Sequence, residues 1–153
     1  MAGPNYAGNI IVILANLPDF LRIPVLKKRM IEFFSMTEIE QKEIINNALE
    51  AGPTIPFPNF SKLFKTWLEI LTTLTEDQRY KLFSGYIQEI SNSPQKLITF
   101  NLDGILEIFL TLDETKKEIL SNTVKKIIDD LNVENKRKLM IVIPDNAKKY
   151  LKI

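Results

Sequence analysis

Three adjacent acidic pairs, Glu76–Asp77, Asp113–Glu114 and Asp129–Asp130, are the groups in this sequence best equipped for chemistry. Two carboxylates facing one substrate, in environments that push one pKa upward, can divide general acid and general base work between them. Sequence neighbours on a helix project about 100° apart, however, and do not face a common substrate. An acidic residue in a first helical turn already has a structural role, because it meets the positive end of the helix dipole. The pairs at 76 and 113 stand where helices are expected to begin, so capping is the expected role. An enzyme with a carboxylate-based cleft is kept as an alternative.

Other catalytic chemistry is excluded by what the chain lacks. It has no histidine and no cysteine. That removes Ser-His-Asp and Cys-His arrangements, thiolate metal sites and the commonest general base near neutral pH. The five glycines are scattered, so no phosphate-binding loop or dinucleotide fingerprint is present. No cofactor, no metal site and no catalytic residue is expected.

Basic side chains are more clustered. Lys27, Lys28 and Arg29 are consecutive; Lys136, Arg137 and Lys138 follow near the C-terminus, then Lys148, Lys149 and Lys152. From residue 132 onward six basic and two acidic side chains leave a local charge of +4, whereas residues 36–55 carry one basic and four acidic, a local −3. The whole chain, with 20 basic and 19 acidic residues, is nearly neutral. A basic end can contact phosphate backbones through Lys136, Arg137, Lys138, Lys148 and Lys149, so nucleic-acid binding is a further alternative. Only Tyr150 interleaves with these lysines, which is too little for a base-stacking platform.

The elements that would position these groups recur. Pro18, Pro56 and Pro94 are 38 residues apart, and so are Met36, Leu74 and Leu112. Each of the latter precedes a capping residue, Thr37, Thr75 or Asp113. Thr37 with Glu40 and Thr75 with Gln78 fit the reciprocal capping box. Apolar residues at helical spacing follow: Leu26, Met30 and Phe33 superpose on Phe64, Leu68 and Leu71, and these on Leu102, Leu106 and Phe109. The reading is all-α: a short right-handed stack of antiparallel helix pairs, a HEAT-like helical repeat of about seven helices. One domain, 1–153, holds units at approximately 18–55, 56–93 and 94–131, flanked by helix 6–17 and a C-terminal helix 132–143. The first unit's leading helix is expected to start at Pro24. Residues 50–58 should form the longest break, Leu97 should open the third unit's first helix, and residues 145–153 should be a short helical turn or a loose tail. The alternative is an irregular helical bundle.

Gln41, Arg79 and Lys117 share one repeat position, a polar row flanked by core residues, with Tyr80 beside it. That row, together with Phe57 in a proline-flanked loop, is read as an interaction surface; for Phe57 the plainer reading is a plug over the core. The expected function is a protein–protein interaction, adaptor or scaffold module without catalytic activity. Its partner would be another protein or a second copy of the chain. The apolar run Ile10–Ala15 is too short to span a bilayer, no targeting segment is evident, and a cytoplasmic location is expected.

Overall fold

The computed structural model describes residues 6–151 and 153. Among these the chain forms ten α-helices and no strand: α1 (Tyr6–Asn16), α2 (Asp19–Phe33), α3 (Glu38–Ala51), α4 (Phe57–Thr73), α5 (Glu76–Asn92), α6 (Gln95–Ile98), α7 (Leu102–Leu110), α8 (Glu114–Asp130), α9 (Val133–Val142) and α10 (Asp145–Leu151). A short 3-10 turn, Gly52–Thr54, follows α3. None of these helices is long and apolar enough to cross a membrane.

Local chemistry explains most boundaries. The Thr37 hydroxyl accepts the Glu40 amide at 3.2 Å, and the Glu40 carboxylate accepts the Thr37 amide at 3.1 Å. Thr75 and Gln78 repeat the exchange at α5, at 3.2 Å in both directions. At α8 the Asp113 carboxylate accepts the Lys116 amide at 2.9 Å; the lysine there cannot return the bond. Asn101 and Asn132 cap α7 and α9 in the same way.

Four expected boundaries move. Helix α2 begins at Asp19 instead of Pro24: the Pro18 carbonyl already accepts the amides of Leu21 and Arg22, at 3.0 and 2.9 Å. Pro24 lies inside the helix, on its exposed side, where water can serve the carbonyl that its missing amide leaves free. The break at 50–58 shrinks, because α3 runs to Ala51 and α4 opens at Phe57, with Pro58 in the first turn where no amide is needed. The third unit's first helix is split into α6 and α7, since the Asn101 side chain caps a new helix start. Residues 145–151 form the helix α10. The split helix and this C-terminal helix raise the number above the seven expected.

Packing pairs helices that are not sequence neighbours. Helix α2 packs on α4, α3 on α5, α4 on α7 and α8, and α5 on α8 and α9, while α1 lies across α3 and α4 and α10 returns to α8. Leu71, Leu120, Ile127 and Ile128 are sealed in the centre. Gly104 of α7 lets the Phe57 ring of α4 press onto its backbone, with no room for a Cβ.

Candidate functional site

The polar row at 41, 79 and 117 lies largely inside the protein. Gln41 and Arg79 are buried. The Gln41 amide donates to the Phe33 carbonyl at 2.8 Å. The Arg79 guanidinium donates to the Leu71 and Leu74 carbonyls at 2.9 and 2.8 Å. Phe33 ends α2 and Leu71 lies in the last turn of α4; each carbonyl keeps only the amide three residues on, from Met36 at 3.2 Å and Leu74 at 3.3 Å, and has room for a second donor. The surface placement expected for these two residues is therefore corrected: periodicity places a residue on a helix face but does not say that a neighbouring helix end covers it. Lys117 makes no such contact and pairs with Glu114 at 2.7 Å. Phe57 is the first residue of α4, packed on the core beside Phe60.

Tyr80 is half-buried in a cleft of about 250 Å³ between α5 and α8, shared with Glu76, Asn122, Thr123 and Lys126. Its hydroxyl donates to Asp130 at 2.6 Å, and the Lys126 ammonium lies 5.3 Å from its ring centre. The bond to Asp130 stabilises the protonated phenol and raises its pKa. That direction is opposite to what a tyrosine base or nucleophile would need near neutral pH.

The acidic pairs do not converge. Glu76, Asp77 and Glu114 occupy first turns and Asp113 is a cap. Asp130 serves Tyr80, and Asp129 stands 3.9 Å from Lys136. Among the described residues no three acidic side chains are placed to hold a metal ion. In the basic region, Lys136, Lys138 and Lys148 approach Asp129, Glu134 and Asp145 at 3.9, 3.5 and 3.4 Å. Arg137 and Lys149 are exposed. Lys152 lies outside the described residues. The surface here alternates in sign.

A half-open apolar pocket is not legible in the sequence. Its volume is about 370 Å³, and residues from α1 through α7 line it, Leu14, Met30, Leu49, Leu63, Trp67, Ile87, Leu97 and Ile105 among others. Every lining residue is apolar, aromatic or glycine except Arg29. Arg29 has 55% of its side chain exposed, and its nearest acid, Glu32, is 3.7 Å away. Inside, the Tyr86 phenol makes no hydrogen bond among the described residues, and burial pushes its pKa up to about 12. Water gains little in so apolar a space.

No family model, curated protein or solved structure matches this chain.

Among the described residues, exposed large hydrophobic side chains concentrate at one corner. Six of the large hydrophobic residues left exposed, Val12, Ile13, Phe20, Leu21, Ile23 and Val25, fall at the corner where α1 passes into α2. On α2, Phe20, Leu21, Pro24 and Ile31 project away from the buried row Arg22, Leu26, Met30 and Phe33. Phe20 is 74% exposed. The corner is pinned by Arg22, 2% exposed, whose guanidinium donates to the Leu17 carbonyl at 2.5 Å, to the Thr66 hydroxyl at 3.2 Å and to Asp19. Sequence reading missed both. Arg22 sits among apolar neighbours at no repeated polar position, and the apolar side chains of Val25 and Ile31 do not differ in type from those of the core row.

Proposed function

We propose that this protein is a non-catalytic interaction module, a short HEAT-like stack of helix pairs that meets its partner through the outer face of α2. The observation that carries the reading is a helix apolar on two opposed sides, only one of which is covered. A solvent-facing Phe20 flanked by Leu21 and Ile31 resembles the apolar centre of a protein interface more than an ordinary helix surface. The packing of α2 on α4 and α4 on α7, and of α3 on α5 and α5 on α8, supports the stack, since equivalent helices of successive units meet.

The partner assigned is a second copy of the chain. Lys27 and Lys28 border the apolar face, and residues 36–55 of the same chain carry the net −3 that would complement them. A total charge of +1 gives two copies no long-range repulsion. Light scattering coupled to gel filtration tests this. The wild type should show dimer mass at micromolar concentration, and Phe20→Glu should be monomeric with unchanged helicity. A wild type that keeps monomer mass up to millimolar concentration overturns the assignment.

A further inference from the structure

The pocket lined by residues from α1 through α7 is separate from the outer face of α2 and has its own chemistry. We propose that it is a binding site for one long-chain aliphatic carboxylate, with the hydrocarbon held among Leu14, Leu49, Leu63 and Trp67 and the carboxylate at Arg29. The size of the space selects a chain. About 370 Å³ falls within the range of small-molecule sites. The walls select hydrocarbon, since no carboxylate, amide or lysine lines them. Arg29 selects the head. It is the one charged lining residue, it is half-exposed where the wall meets solvent, and its contact with Glu32 at 3.7 Å is loose enough to give way. Tyr86 stays neutral at physiological pH, so nothing inside repels an acidic ligand.

The chain carries its own reporter, because Trp67 is its single tryptophan and lines the cavity. Dibrominated stearate, titrated into the full-length protein below its micelle concentration, should quench Trp67 emission saturably at one equivalent; unbrominated stearate should compete. Arg29→Ala should weaken stearate roughly three- to fivefold, as for a half-exposed ion pair, and leave the matched long-chain alcohol unchanged. Glu32→Gln, which frees Arg29, should tighten stearate. Ala48→Phe, which fills the cavity from α3, should abolish saturable quenching while circular dichroism shows the helices intact. Absence of saturable quenching in the wild type, or full quenching in a folded Ala48→Phe protein, overturns the site. Equal affinity for acid and alcohol, unaffected by Arg29→Ala, overturns the assignment of an acidic head.

Discussion

Gln41 and Arg79, 38 residues apart, each reach back eight residues to the carbonyl at one repeat position, Phe33 for Gln41 and Leu71 for Arg79. A side chain in the first turns of one helix thus ties off the end of the helix before it, and does so twice. The contact fixes the angle between successive helices where backbone bonding alone leaves them free.

Removing these ties should be expensive in stability and should leave the surface unchanged. Arg79→Met, which keeps bulk but loses the donors, should cost about 2–3 kcal/mol, since several buried carbonyls lose their partner. Gln41→Leu should cost about 1–2 kcal/mol. Lys117→Ala should cost less than about 1 kcal/mol, because the partner it loses, Glu114, is solvent-exposed and the pair is screened. Urea unfolding of the three variants gives the ranking; an equal cost for Lys117 would mean that the third unit is tied in a way not evident from its contacts.

Gly104 and Gly85 mark close approaches of unequal rigidity. A methyl group at Gly104 meets the Phe57 ring and the Asn101 amide, so Gly104→Ala should destabilise by about 1–3 kcal/mol. At Gly85 the obstacle is the Ile45 Cδ1 at 2.6 Å, the mobile end of an aliphatic chain. Gly85→Ala should therefore cost less, and thermal melts should order the two.

Tyr86 should titrate late. Its pKa of about 12 lies above the ordinary phenol value of 10, so the folded state holds its proton while the unfolded chain releases it. The sign follows: this stability is fully present below pH ~10 and is lost as pH rises toward ~12. The loss amounts to about 2–3 kcal/mol. A difference ultraviolet titration of wild type against Tyr86→Phe should isolate the late phase, and the variant should lose less stability over that interval.

The capping box of α3 should make stability sensitive to acid. Hydrogen bonds from the Thr37 amide and hydroxyl lower the pKa of Glu40. The contribution is present above the carboxylate's unfolded pKa and is lost as pH falls through the lowered folded value. Glu40→Gln keeps the geometry without the charge, so its denaturation midpoint should vary less between pH 6 and pH 3 (roughly the span over which a free glutamate protonates and beyond) than that of the wild type.

What the sequence alone decided was local. Thr37, Thr75 and Asp113 begin helices because an oxygen three residues before an orphan amide satisfies it wherever the helix lies. Prolines and apolar spacing separated the units for the same reason: each acts within a few residues of itself. What the tertiary structure decided was which neighbour covers each face. Gln41 and Arg79 look like surface residues until the preceding helix end folds over them. Val25 and Ile31 carry core chemistry, yet the packing of the described residues leaves both exposed. The pocket beside Arg29 belongs to no single segment: residues from α1 through α7 line it, and its volume is set by distances that no stretch of sequence contains.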